Sequence, residues 1–429
     1  MKTIAVATIG CKTNQYETEA ILNQFIKSGY KLVDFSQSAD IYLINTCCVT
    51  NRAEYKSRYL IRKAIVQKKN NTNIVVTGCY VENDSDFLHQ FNDKILTFNN
   101  NEKSQIFNFI VNNSKRENTK SFSNQFIELT TDKFYLHTRV PIKVQDGCDF
   151  FCSYCILPYV RGKPRSRKQE NVITQVKKLV KNGVKEIVLT GINLGLYGRE
   201  FADYSLIELL TDLSTKTDIQ RIRLSSIEPM FFYDRFIEYL ATNQKICPHF
   251  HIPLQSGSDT VLNKMNRYYN SKDFIKIIIK IKNEIPDAAI GCDVIVGFPG
   301  ETDAEFEKTF SFVDKLDISY MHIFRYSPRP KTASSYMKWK SNGVKNKHRM
   351  HQLLKLNAKK KKKYFNYLID NKIPLKAVLE KQENGMWTSV SDHYARVYLK
   401  DENAKKGELK NLVAKKIHSN GNGILGEKI

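Results

Sequence analysis

The sequence predicts an α/β protein in three parts: an N-terminal doubly wound parallel sheet, a central partial barrel of six β/α units, and a small C-terminal all-β barrel. Three observations predict it. Short apolar runs without polar alternation, the mark of strands buried on both faces, alternate with helical periodicity through most of the chain. At 429 residues the chain is too long for one ordinary core. From about Ile373 the pattern changes to short strands separated by turn residues.

In the first part, Ile4–Ile9, Ile41–Asn45 and Ile74–Thr77 are predicted buried strands. Glu17–Ser28 and Ala53–Gln67 carry helical periodicity between them, and Gly29 is placed as a helix stop. This alternation implies a parallel sheet. The part is placed at residues 1–111, and the polar, aperiodic stretch 112–133 is expected to be a linker.

The second part, 134–365, alternates again. Its strands are predicted at Pro141–Gln145, Glu186–Thr190, Arg221–Ser225, Phe250–Leu254, Ile290–Val296 and Tyr320–Tyr326. One intervening helix has Val172, Val176, Leu179 and Val180 on a single face and ends at Gly183. Another opens on a capping box, Thr302 to Glu305, ahead of Phe306, Phe310 and Val313. Six units give a partial barrel rather than a closed one of eight. The third part, 366–429, has strands predicted at Pro374–Glu380, Met386–Val390 and Tyr394–Lys400, then Asn420-Gly-Asn-Gly turn chemistry.

Cys148, Cys152 and Cys155 form a CxxxCxxC run just after the first barrel strand. Three thiolates this close hold a 4Fe–4S cluster by three corners and leave one iron without a protein ligand. A zinc knuckle or a disulfide are the alternatives, but no fourth Cys or His lies within the loop. Cys11, Cys47 and Cys79 each fall just past a predicted strand of the first part. Carboxyl ends of parallel strands share one sheet edge, so these three thiols are expected to meet as a second cluster site.

The nine cysteines do not form a secreted disulfide framework, so a reducing cytoplasmic setting is expected. No apolar run approaches the roughly 20 residues that span a bilayer, so no membrane partner is expected. The formal net charge of +23 points to a polyanionic partner, most simply nucleic acid. Nine basic and no acidic residues lie between Lys345 and Lys363, ending in the lysine run that includes Lys359, Lys360 and Lys361.

Taken together these residues resemble the radical S-adenosylmethionine (SAM) tRNA methylthiotransferases over nearly the full length. The resemblance rests on Gly10-Cys-Lys-Thr-Asn-Gln-Tyr-Glu-Thr-Glu19, Asn45-Thr-Cys-Cys-Val-Thr50, Gly78-Cys-Tyr80 and Tyr154-Cys-Ile-Leu-Pro-Tyr-Val-Arg-Gly162. Arg165-Ser-Arg167, Gly191-Ile-Asn-Leu-Gly-Leu-Tyr-Gly198, Pro253-Leu-Gln-Ser-Gly-Ser-Asp259 and Val296-Gly-Phe-Pro-Gly-Glu301 add to it. The Lys-Thr-Asn-Gln-Tyr-Glu-Thr-Glu stretch resembles the branch acting on threonylcarbamoyl-adenosine next to the anticodon. Two departures stand out: Cys48 beside Cys47, and Lys331 where a Gly commonly follows Arg-Pro.

The resemblance implies a radical-SAM partial barrel, a C-terminal RNA-binding TRAM barrel, two 4Fe–4S clusters and SAM. It implies a tRNA anticodon loop as substrate partner and an electron donor of flavodoxin or ferredoxin type. SAM cleaved at the barrel cluster would yield a 5′-deoxyadenosyl radical acting at adenine carbon 2, with the second cluster holding the sulfur. Asn193, Glu228, Gln255, Ser256 and Asp293 are the implied SAM contacts. Arg161, Arg165 and Arg167 are candidates for phosphate or substrate carboxylate contacts, as are Lys359, Lys360 and Lys361 for the tRNA backbone. The competing readings are the same chemistry on isopentenyl-adenosine or a ribosomal protein, or a non-enzymatic iron–sulfur RNA-binding protein.

Overall fold

The computed structural model describes residues 1–84, 95–117, 122–338 and 342–429. Strands β1 (Thr3–Thr8), β2 (Lys31–Val33), β3 (Ile41–Thr46), β4 (Asn73–Gly78) and β5 (Ile95–Phe98) form one sheet in the order β2-β1-β3-β4-β5. Every pairing is parallel. The two strands without a clear sequence signal are the edge strands, short and only partly buried.

The helix Lys12–Lys27 starts five residues ahead of its apolar pattern. Its first turns bury Thr13, Asn14 and Glu17 rather than aliphatic side chains, so periodicity could not mark them. It stops where Gly29 takes φ +85° and the Tyr30 N–H closes back on the Phe25 carbonyl at 3.1 Å. Tyr16, Ala20, Ile21, Leu22 and Phe25 belong to the same apolar core as Val140, Ile142 and Leu189 of the barrel. The first two parts therefore share one hydrophobic interior.

The end of the stretch expected to be a linker, with the residues just after it, is docked on this helix. Tyr16 donates its hydroxyl hydrogen bond to the Leu129 carbonyl, Asn23 bonds Asp132 at 3.0 Å, and Glu19 accepts from the Tyr135 and Leu136 N–H groups. Polar composition hid the docking because polar contacts make it.

In the central part, β6 (Val140–Lys143), β7 (Gln145–Asp146), β8 (Arg165–Ser166), β9 (Glu186–Thr190), β10 (Arg221–Leu224), β11 (His249–His251), β12 (Ala289–Val296) and β13 (Tyr320–Arg325) follow in turn. Six of them form two parallel sheets, β6-β9-β10 and β11-β12-β13, joined by a bridge between Ile222 and Ile246. β7 and β8 pair antiparallel, Gln145 with Ser166 and Asp146 with Arg165, and so pin both ends of the CxxxCxxC loop. The predicted capping box at Thr302 is half formed. Thr302 accepts from the Glu305 N–H at 3.3 Å, but the Glu305 carboxylate is taken by the Ser258 hydroxyl instead.

The helix Gly343–Asp370 runs unbroken through the boundary expected between 365 and 366. The last part begins at Pro374: β14 (Pro374–Glu383), β15 (Met386–Ser391), β16 (Arg396–Leu399), β17 (Leu409–Ile417) and β18 (Ile424–Lys428) close a barrel in the order β14-β15-β16-β18-β17. β17 escaped the sequence reading because a bulge between Ala414 and Lys416 breaks its alternation.

This barrel plugs the amino-end side of the central one. Buried Arg223 holds Glu186 and donates to the Ser391 and Asp392 carbonyls at 2.8 and 2.9 Å, and Tyr394 stacks on His249 with centroids 4.1 Å apart. His393 bridges Asp287 and Asp392 at 3.0 and 2.9 Å. Burial opposes its protonation, but the two carboxylates outweigh that and raise its pKa to about 8. A folded-state value above the ordinary 6.5 means the bridge stabilises fully below about pH 6.5 and is lost as pH rises through about 8. The expected contribution is about 2 kcal/mol. Melting curves of the wild type and His393→Gln should differ most at the acidic end of this window and converge above it.

Candidate cluster and substrate site

Cys47 and Cys79 follow β3 and β4 directly, Cys11 lies three residues past the end of β1, and the sheet order places these strands side by side. They converge at one edge. Burial and the neighbouring Cys79 and Cys11 thiols together push the Cys47 thiol up to about 12. Gly10, at φ +108°, lets the chain pass this close: a Cβ there would lie 2.9 Å from the Cys47 Cβ. Burial and the nearby Cys79 and Cys47 thiols also push the Cys48 thiol up. It is fully buried among Tyr42, Ile44, Ile61, Ile156 and Val160, packed as a small apolar residue.

A buried charge cluster lies beneath these thiols. Glu17 pairs with Lys103, with Lys143 at 2.8 Å and with Arg161 at 2.7 Å. Asp146 pairs with Lys143 at 2.6 Å and lies 3.5 and 3.4 Å from Arg161 and Arg165. Arg161 also donates to the Asn14 side chain at 2.5 Å and, through Nε, to the Cys79 sulfur at 3.2 Å. Burial disfavours the Glu17 charge, but Arg161, Lys103 and Lys143 hold its carboxyl well below the usual range. Four buried cations thus face Glu17 and Asp146, and the largely buried Glu82 also lies within the field of Lys103 and Arg161. Positive charge in excess of these carboxylates is costly in an interior unless an anion meets it. A thiolate-bound iron–sulfur cluster is such an anion, and the donor set fits one.

On the barrel, Gly147 turns at φ +75°, where a Cβ would lie 2.0 Å from the Lys163 carbonyl. The Cys148 N–H then closes on the Gly162 carbonyl at 3.0 Å and the Cys155 N–H on the Cys152 carbonyl at 2.9 Å. Burial raises all three thiols. Arg267 donates to the Cys152 sulfur at 3.2 Å and is itself gripped by Glu228. Asn193 bonds Gln145 through its N–H at 2.9 Å and leans its amide toward the Cys148 sulfur at 3.8 Å. Its buried Oδ1 has no partner among the described residues, which fits a ligand donor arriving beside the thiols.

The remaining implied SAM contacts divide. Glu228 stands beside Cys152 through Arg267. Asp293 accepts from His251 at 2.9 Å and lies 3.4 Å from His322; burial pushes its carboxyl up, and these imidazoles overcome that and hold it below the usual range. Gln255, at φ +65°, joins the end of β12 through backbone bonds to Asp293 and Ile295. Ser256 is corrected: it is fully buried with its hydroxyl on Thr309 at 3.0 Å.

The arginines expected at the RNA surface are also corrected. Arg161, Arg165 and Arg167 are buried, the first two in the charge cluster and the third on Glu128 and Gln175. Lys360 turns inward to the Asp314 and Leu316 carbonyls, at 3.1 and 2.7 Å, because the lysine run is helical and one residue in it must face the core. Lys359 is exposed and Lys361 half-exposed. Lys331 adopts φ +68°, so it holds the left-handed conformation that suits a glycine. Sequence reasoning missed Arg267, which no motif marks, and the exposed rings of Phe151 and Tyr159, 5.8 Å apart at the cluster loop.

A model of the radical SAM superfamily matches residues 142–313, and one described as uncharacterized protein family UPF0004 matches 3–98. The chain is 40% identical to threonylcarbamoyladenosine tRNA methylthiotransferase MtaB of Bacillus subtilis, covering 93% of this chain and 91% of that protein. Identity to the same-named protein of Thermotoga maritima is 39%, over 84% and 82%. It is 34% to tRNA-2-methylthio-N(6)-dimethylallyladenosine synthase of B. subtilis, over 85% and 74%. Among solved structures, the radical SAM methyltransferase TsrM of Kitasatospora setae shares the fold with a TM-score of 0.58 at 13% identity, over 78% of this chain and 77% of that one.

The adjacent thiols Cys47 and Cys48 give a direct test. Cys47→Ala should halve the iron taken up on anaerobic reconstitution, whereas Cys48→Ala should leave it whole. Iron and sulfide quantification per chain checks both.

Proposed function

We infer the function from the membership these likenesses establish: the chain belongs to the radical SAM tRNA methylthiotransferases, in the threonylcarbamoyladenosine branch. It is a tRNA methylthiotransferase that uses SAM and two 4Fe–4S clusters to add a methylthio group to carbon 2 of N6-threonylcarbamoyladenosine. The single observation that carries the reading in this chain is the pair of three-thiol sites at strand carboxyl ends, tied to each other by Arg161. Bound there, the clusters supply reductive SAM cleavage at one site and a held sulfur at the other.

The protein's own residues do the rest. Cys148, Cys152 and Cys155 hold the barrel cluster, and Cys11, Cys47 and Cys79 hold the second. Asn193 and Glu228 orient SAM beside the barrel thiols, with Gln255 and Asp293 completing the strand-end rim. The rings of Phe151 and Tyr159 offer stacking faces to bases of an opened anticodon loop. Lys355, Lys359, Lys362 and Lys363, exposed on the helix Gly343–Asp370, and half-exposed Lys361 grip phosphates without reading sequence. The electron comes from a donor of flavodoxin or ferredoxin type, and the enzyme works in the cytoplasm. All nine cysteines are free thiols, and no helix among the described residues is long and apolar enough to cross a membrane.

Cells lacking the gene should lose methylthio-threonylcarbamoyladenosine from their tRNA and regain it on complementation, read by nucleoside mass spectrometry. A change in a different methylthio nucleoside would keep the chemistry and replace the substrate. Cys152→Ala should abolish SAM cleavage. tRNA affinity should fall at least about tenfold between about 50 and about 200 mM salt, and a flat curve would remove the lysine helix from the interface.

A further inference from the structure

Arg161 occupies an unusual place. It is fully buried and lies six residues beyond Cys155, at the end of the short helix Leu157–Arg161 that leaves the barrel cluster loop. Its guanidinium does not serve that loop's thiols. It crosses to the N-terminal site, where Nε points at the Cys79 sulfur at 3.2 Å. The other nitrogens are fixed by Glu17 at 2.7 Å and by Asn14 at 2.5 Å. Asn14 is itself held by the Ile9 and Thr46 carbonyls at 2.8 and 3.0 Å, in the turns that carry Cys11 and Cys47. One side chain therefore contacts the surroundings of all three N-terminal thiols.

We propose that Arg161 is a positioning residue that sets the reduction potential of the N-terminal cluster while seating that cluster against the barrel loop. The physical reason is the charge change on reduction. A cluster that gains an electron becomes more negative, and a hydrogen bond at a ligand sulfur with a fixed cation beside it favours the more negative state. Glu17 alone would offset that effect, but Lys103 and Lys143 also pair with Glu17 and leave the Arg161 charge available to the sulfur. The same architecture recurs at the barrel, where Glu228 holds Arg267 against Cys152. Arg161 differs in that it binds one cluster site from the polypeptide of the other.

The proposal rests on Cys11, Cys47 and Cys79 holding a cluster. Iron uptake by the full chain with Cys148, Cys152 and Cys155 all replaced by Ala decides that assignment first. In this background only the N-terminal site loads, and its one-electron midpoint is read by dithionite titration with EPR detection. Arg161→Gln should lower the midpoint by an amount equal to at least a tenfold change in the reduction equilibrium, 59 mV for a one-electron couple. Arg161→Lys, which keeps the charge but loses the planar fork, should fall between the parent and Arg161→Gln. Failure of both variants to load, with iron-free proteins that melt with the parent, places the same contact in seating the cluster and supports the proposal. Full loading with the parent's midpoint overturns it. So does a lowered melting temperature with an unchanged midpoint, which would make Arg161 a folding residue alone.

Discussion

The rest of this molecule depends on the buried ion cluster around Glu17. A carboxylate placed inside a helix that is buried on nearly every side is tolerated only because three cations converge on it. Those cations come from separate segments: Lys103 from the first part, Lys143 from β6, and Arg161 from the end of the cluster loop helix. Each pairing fixes one segment against another. Glu17 keeps two of its three cations when any one of them is removed, so the segments are held by several pairs rather than one. The first two parts are thus joined both by a common apolar core and by a polar knot inside it.

The knot also explains why two sites built on different sheets sit as one unit. The CxxxCxxC loop is clamped at its base by the β7–β8 ribbon, whose Asp146 and Arg165 are themselves members of the charge cluster. Cys79 of the other site accepts from Arg161 of the same charge cluster. On the opposite side of the barrel, Arg223, His393 and Tyr394 seat the C-terminal barrel through backbone carbonyls, paired charges and a stacked ring. Polar contacts at both ends of the central barrel set its relations to its neighbours, and its aliphatic strands fill the space between.

Much of this was visible in the chain. The barrel strand Glu186–Thr190 was delimited without error because it is a short, wholly buried aliphatic run bounded by Gly183 and Gly191. The grouping of the thiols was legible from local spacing at one site and from strand-end placement at the other. Where the reading failed, long-range contacts were responsible. Arg161, Arg165 and Arg167 look like surface cations until their partners Glu17, Asp146 and Glu128 are brought next to them from distant positions. Lys360 is indistinguishable from Lys359 in a run of five lysines, and only the helix phase turns it inward.

The sequence by itself determined the ligand chemistry, the parallel sheet, the barrel units and the family. These follow from residue type, spacing and periodicity, which are local properties of a chain. Only the tertiary structure decided that Cys48 joins the apolar core, that the end of the expected linker docks, and that Arg161, Arg165 and Arg167 turn inward to buried partners. Those outcomes depend on which groups share an interior, where an unpaired charge is costly, and spacing along the chain does not carry that information.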